Sequence, residues 1–522
     1  MQKKRSIRVA ATLTVLALVA GACGKDRGSS ASSTTAAAAA TTSVAAAPTV
    51  ASTAGTSAPA STPDTASGNT TAASAAATPD TAAGTTLPAA ITTTGPALPM
   101  FGDAPWPCGA GTGNNTDDGT TPGVTKDAIK IGGGDDSGYS GSPGLNHELS
   151  DAMKAMVAKC NELGGINGRK ITFDYYDAAL FNVGPAMQAA CDSGDFFLVG
   201  EGWAFDSNQE EIRLGCGLPA VPGYAVSAAF AHGKNVFAPT PGPSDETTAG
   251  MYDQFAKLFP DGVKKAVTLV GAFSATEESR DKAVIAATDF GWNFVNTTIE
   301  YNPVGEADWT PFVKQIQAAG AGVIYWSGTC LPNLQLFMQA AVANGLNIPV
   351  LSEANHYSAA CAAANTDGAM NNLYVRISSI PFEEATADKT HAVQDYLDLL
   401  KASGGDVSQL GSTGASAFLL WATAAQQCGA ALTRDCEIAN LKNIHKWTGH
   451  GLYTETDPGA NHPTQCTALL KLNGTKYDRV VPTAAGTFEC SPTYVVKIPS
   501  DPALDAAKLD ANRISQQFST GG

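Results

Sequence analysis

Gly123-Val-Thr-Lys-Asp-Ala-Ile-Lys-Ile-Gly132 and, further on, Gly164-Gly-Ile-Asn-Gly-Arg-Lys-Ile171 bracket the part of the chain whose reading decides the fold. Residues 129–131 predict a first strand. Leu149, Met153, Met156, Cys160 and Leu163 then recur at intervals of four and three, which sets one apolar stripe along a helix. Gly164-Gly165 stops that helix, and residues 171–175 predict a second strand. Strand, helix, strand is the repeating unit of a parallel α/β sheet, because parallel neighbours need a long crossover and the helix supplies it. Further apolar runs at 196–199, 266–270, 297–301, 323–326 and 373–377, with helical segments between them, continue the series.

Composition bounds the rest. The chain has 522 residues, of which 15% are charged, and its 32 basic against 48 acidic side chains leave a net charge of -16. Such a balance repels nucleic-acid phosphates and anionic lipid, so neither is an expected partner. From Gly28 to about Pro99 the sequence is nearly all Ser, Thr, Ala, Pro and Gly, interrupted by Asp64, Asp80 and a few aliphatics. That stretch cannot bury enough apolar surface to offset its conformational entropy, and residues 23–100 read as an extended tether. Ordered sequence is expected from about Cys108, with a loop to Thr121. About 390 residues then remain, too many for one doubly wound sheet and comfortable for two.

The amino terminus carries an export signal. Lys3, Lys4, Arg5 and Arg8 precede an apolar run at 9–20, and Ala20-Gly21-Ala22-Cys23 is a small-residue site ending in cysteine. It resembles a lipobox, which implies a signal peptide at 1–22 and acylation of Cys23. A membrane-spanning anchor is the competing reading, but it needs about 20 apolar residues and this run is shorter. The protein is thus expected outside the cytoplasmic membrane, held to its outer face by lipid.

The two opening segments resemble the start of the branched-chain amino acid-binding proteins, the type I periplasmic solute receptors of ABC importers. Phe237-Ala-Pro-Thr-Pro-Gly-Pro-Ser-Asp245 and Asp308-Trp-Thr-Pro-Phe-Val-Lys-Gln-Ile316, leading through Ala318-Ala-Gly320 into a strand, extend the likeness across about 123–500. The resemblance implies two α/β lobes joined by three crossovers near 243, 372 and 450, with a ligand cleft that closes by hinge motion. Lobe 1 would comprise 123–243 and 373–450, lobe 2 would comprise 244–372 and 451–500, and 501–522 would be a tail. Helices at 391–403 and 415–432 would return to lobe 1. A hairpin turning at Asn473-Gly474 would close lobe 2. The implied function is ligand binding for import by membrane permease subunits, as a monomer without cofactor or metal. A ligand-sensing lipoprotein of the same fold is the alternative, motivated by the long tether.

A zwitterionic amino acid needs a carboxylate for its ammonium, donors for its carboxylate and an apolar wall. Aligned on the family, Glu353 falls on the ammonium-binding carboxylate; the alternative is a solvated loop glutamate. The loops that present donors to the ligand carboxylate align with Ala204 and Phe205 in one case and with Val226, beside Ser227, in the other, where the family's hydroxyls are missing. Thr329 lies at the end of a lobe-2 strand. Aromatic and acidic residues gather instead: Tyr139, Trp203, Phe205, Tyr224, Phe273, Trp326 and Tyr357, with Asp135, Asp136 and Glu201. They predict a larger and even cationic ligand.

Catalysis finds no support. There is no G-x-S-x-G elbow, H-E-x-x-H, Walker loop or C-x-x-C, and the triglycine Gly132-Gly133-Gly134 is not followed by a phosphate-binding pattern. The even set of ten cysteines behind Cys23 suits an exported, disulfide-bonded chain. Spacing does not encode connectivity. Proximity in the implied fold suggests Cys108 with Cys160, Cys191 with Cys216, Cys330 with Cys361, Cys428 with Cys436 and Cys466 with Cys490, while a free Cys330 beside the cleft is the rival arrangement.

Overall fold

The computed structural model describes residues 99–498. The expected signal at 1–22, Cys23, all but the end of the 23–100 tether and the 501–522 tail lie outside the described residues.

Two sheets organise the chain. The smaller has four parallel strands in the order Lys170–Asp177, Ala128–Asp135, Leu198–Val199, Ala220–Val221. The larger runs Lys476–Val481, Cys466–Asn473, Leu373–Ile377, Val350–Ser352, Val323–Ser327, Ala266–Gly271, Phe294–Tyr301, and Glu489–Cys490 lies beside Cys466–Asn473. From Leu373–Ile377 onward its strands are parallel. Cys466–Asn473 and Lys476–Val481 form the antiparallel hairpin, and Gly474 takes a φ of 58° at its turn.

Each sheet buries apolar side chains on both faces, as parallel sheets must. The helices Glu148–Leu163, Ala392–Ser403 and Gln409–Gln427 share a core with the smaller sheet that includes Ile129, Met153, Phe197, Tyr396 and Trp421. Met187, Leu198, Trp203 and Phe230 fill its other side. The larger sheet packs Trp326 and Phe337 on one face and Phe255, Tyr325 and Tyr374 on the other. The result is two α/β lobes with the chain crossing between them three times, as the resemblance implies.

Several boundaries differ from expectation. The sequence reading gives 373–450 to lobe 1, but Leu373–Ile377 pairs with Val350–Ser352 and Cys466–Asn473 in the larger sheet, so the second crossover follows Ile377. Leu373, Val375 and Ile377 bury into that sheet's core, which outweighs any attachment to the other lobe. Lobe 1 also begins before 123. Met100–Phe101 pairs with Ala104–Pro105, and Phe101, Trp106 and Cys108 enter the lobe-1 core. The loop that follows is tied down by buried Arg169, whose guanidinium donates to the carbonyls of Thr116, Thr125, Gly429 and Ala430 and to Asn115 Oδ1. The helix expected at 415–432 spans Gln409–Gln427 instead, because Ser408 caps it by accepting the Gly411 N–H.

The triglycine is a packing device. It lies inside Ala128–Asp135, where a Cβ on Gly133 would stand 2.5 Å from the Val199 carbonyl oxygen and one on Gly134 1.8 Å from that of Tyr176. Only glycine lets the central strand run this close to both neighbours. Disulfides join Cys108–Cys160, Cys191–Cys216, Cys330–Cys361, Cys428–Cys436 and Cys466–Cys490, the same five pairs that the implied fold suggests. Cys330 is therefore bonded, not free.

Candidate functional site

Side chains in a strand alternate between the two faces of the sheet, so register decides which residues meet. Tyr325, Leu351 and Tyr374 are aligned across three neighbouring parallel strands. Two residues beyond the last two come Glu353 and Arg376, on the same face as Tyr325 and at the carboxyl ends of their strands. The Tyr325 hydroxyl donates to Glu353 Oε1 at 2.5 Å, and Arg376 Nε–H donates to Glu353 Oε2 at 2.5 Å. Burial pushes the Glu353 carboxyl up, but the Arg376 charge and the two donated hydrogen bonds outweigh burial and hold it below its ordinary value. Tyr252, from the helix Gly250–Leu258, closes the cluster, its ring 6.4 Å from that of Tyr325.

Lobe 1 answers with loops at the ends of its own strands. There the backbone donors are engaged by the chain's own acids. Asp136 accepts the N–H groups of Leu180 and Ala204 at 2.9 and 2.8 Å. Asp206 accepts those of Val226 at 2.7 Å and Ser227 at 3.1 Å. Ser227 also caps the short helix Ala228–Ala231 with its hydroxyl. Both acids are shut from solvent. Burial, opposed by the two amides and reinforced by neighbouring Asp135 and Asp177, raises the Asp136 pKa to about 6.

Between the lobes lies a cavity of about 320 Å³, at the small end of the range for small-molecule sites. It is bounded by lobe-1 loops, by lobe-2 strand ends and by crossover residues such as Thr240, Tyr453 and Thr456. Of the residues singled out in the sequence, Glu353, Tyr139, Ala204, Tyr224, Val226 and Thr329 line it, as does Phe273. Asn146 Nδ2–H donates to the Tyr224 hydroxyl at 3.0 Å and fixes that ring.

Other expected lining residues stand elsewhere. Trp203 is fully buried in lobe 1, donating Nε1–H to the Tyr176 carbonyl. Ser227 is buried and does not line the cavity. Phe205 sits outside the lining and meets Phe273 across the lobes at 5.2 Å. Trp326 stacks on Tyr301 and Phe337, and Tyr357 on Phe382, as core residues. Asp135, Asp136 and Glu201 have no exposed surface and do not line the cavity, so the acidic wall expected for a cationic ligand does not form. Sequence reasoning missed Arg376, Tyr252 and Met251. The available signal was a lone arginine inside the apolar run Leu-Tyr-Val-Arg-Ile at 373–377.

The lobes also touch at the rim. Ser142 Oγ–H donates to the Leu331 carbonyl at 3.1 Å, and the Ala228 N–H to Glu278 Oε2 at 2.8 Å. Lys282 Nζ reaches the crossover carbonyls of Gly242 and Pro243 at 3.3 and 3.2 Å. Among the described residues, no helix is long and apolar enough to cross a membrane, and no group of His, Cys, Asp and Glu could hold a metal ion.

A two-lobed parallel α/β fold with a cleft at its strand ends defines a solute receptor of the periplasmic type. The chain belongs to the periplasmic binding protein family, whose model matches residues 128–477. The family is one of exported, non-enzymatic binding proteins. Among solved structures, a fatty acid ABC transporter substrate-binding protein from Thermomonospora curvata is similar at 16% identity and a TM-score of 0.59, covering 72% of this chain and 95% of its own. The branched-chain amino acid receptor LivJ of Streptococcus pneumoniae, in complex with isoleucine, matches at 16% and 0.56, covering 71% and 100%. A solute-binding protein from R. palustris in complex with benzoate gives 16% and 0.56, covering 70% and 98%. At these identities the likeness is one of fold. No curated protein matches by sequence.

The Asp136 carboxyl provides a pH test. Its folded pKa lies above its unfolded value, so between about pH 4 and 6 the folded state keeps a proton that the unfolded state has lost, and stability from this group falls as pH rises. Asp136→Asn removes that dependence. The stability lost on substitution should therefore be larger at pH 4 than at pH 7, by up to ~3 kcal/mol at 1.36 kcal/mol per unit. Denaturant unfolding at both values measures it; an equal loss at both would show that Asp136 titrates normally.

Proposed function

We propose that the protein is the lipid-anchored solute receptor of an ABC importer, taking one small molecule between its lobes and presenting the closed form to permease subunits. The observation that carries this reading is the cavity itself, walled by both lobes and by the crossovers, so that a bound molecule bridges the halves and favours closure. Ligands belong at the carboxyl ends of open α/β sheets, where these walls lie. The wall chemistry, polar groups set into apolar and aromatic surface, suits a small organic molecule related to the amino acids.

The anchor rests on Ala20-Gly21-Ala22-Cys23. Acylated Cys23 would hold the receptor on the outer face of the membrane.

A thermal-shift screen of the full chain against amino acids, carboxylic acids, amines, amides and short peptides tests the receptor reading, since a ligand that binds only the folded state raises the melting temperature. At least one class should give a saturable shift; no shift from any class would count against it. In the producing cell, Cys23→Ser should move the protein from the membrane fraction to the soluble one. Retention of the variant in the membrane would refute the lipid anchor.

A further inference from the structure

We propose that Arg376 is the polar anchor of the ligand, and that the ligand is a monocarboxylic acid with an apolar body and no ammonium group. This deepens, and rests on, the reading of the cleft as a small-molecule site.

Both polar elements that a zwitterion requires are already satisfied within the chain. Glu353, aligned with the family's ammonium acceptor, has one oxygen engaged by Tyr325 and the other by Arg376. An ammonium brought to it would also meet the guanidinium at contact range. In lobe 1 the amides of Ala204, Val226 and Ser227, where a ligand carboxylate would be received, donate to Asp136 and Asp206. A ligand carboxylate placed there would face two buried acids. The polarity of an amino acid site is thus reversed, with the cation in lobe 2 and anions behind the lobe-1 loops.

Arg376 has donors to spare. Only Nε has a hydrogen-bond partner, Nη1 and Nη2 have none among the described residues, and 31% of the side chain is exposed although the residue lines the cavity. Guanidinium is a planar fork, so its Nη edge matches the two oxygens of a carboxylate while Nε stays on Glu353. Glu353 is then a positioning residue that sets the plane of the fork. The Glu353–Arg376 pair is neutral as a whole, which favours a singly charged partner over a phosphate dianion that would face the Glu353 charge. For the body of the ligand the same cavity offers Tyr139, Leu145, Leu180, Tyr224, Met251 and Phe273.

The test is calorimetric titration of the full chain at pH 7.5 with benzoate and hexanoate, with benzamide and hexanamide as neutral isosteres, and with leucine and hexylamine. The acids should bind at least tenfold more tightly than their amides, and leucine and hexylamine should not bind. Arg376→Gln should cost the acids at least tenfold and bring acid and amide to equal affinity. Glu353→Gln, which leaves the guanidinium in place, should keep the acid ahead of the amide. Amides binding as well as acids, leucine binding that Glu353→Gln abolishes, or no binding by any acid would each overturn the proposal. In that event a shift from another class in the thermal screen leaves the receptor reading standing, whereas silence across the screen removes that as well.

Discussion

Glu353 and Arg376 meet because their strands are parallel neighbours whose register places both side chains on one face of the larger sheet, level with Tyr325. The consequence reaches through the cleft. A carboxylate alone at this position would be a receptor for cations, but the adjoining guanidinium consumes its charge and leaves donors facing the cavity. Separating such a partly buried pair by removing one member strands the other, which is why each residue constrains what its neighbour can do. The polar floor of the site is therefore a single unit, built from three strands and closed by Tyr252.

The lobe-1 loops follow the same logic with opposite sign. Chain turns at the ends of parallel strands aim their amides outward, and an amide left buried without an acceptor costs about 1–3 kcal/mol. Asp136 and Asp206 supply the acceptors from inside the lobe, so the loops are held by the chain's own groups. What they present to a ligand is then mostly apolar: Ala204, Val226 and the rings of Tyr139 and Tyr224. One lobe offers body contacts and the other the charged end, a division that rewards closure only for a molecule with both parts.

How much of this the sequence carried depends on the range of the interaction. The fold was legible because helical and strand periodicities are local, and because Gly164-Gly165 mark a helix end. Glu353 could be brought near the cleft through a family alignment. Its pairing with Arg376 could not, since it depends on the register of strands whose nearest approach is set by tertiary packing. Nor could the capture of the Val226 amide by Asp206, a contact between two loops. Trp203, Trp326 and Tyr357 show the complementary error, for a large aromatic near a strand end is as suited to the core as to a ligand, and burial decided for the core. The misplaced boundary at 373 had the same origin: an apolar strand does not state which sheet it joins.

The most direct measurement is a crystal structure of the chain with the acid that binds it most tightly. The account predicts the ligand carboxylate on the Nη edge of Arg376, about 2.7–2.9 Å from both nitrogens, with Nε still donating to Glu353. A ligand carboxylate on the amides of Ala204 or Val226, or a ligand nitrogen on Glu353 with Arg376 swung away, would contradict it.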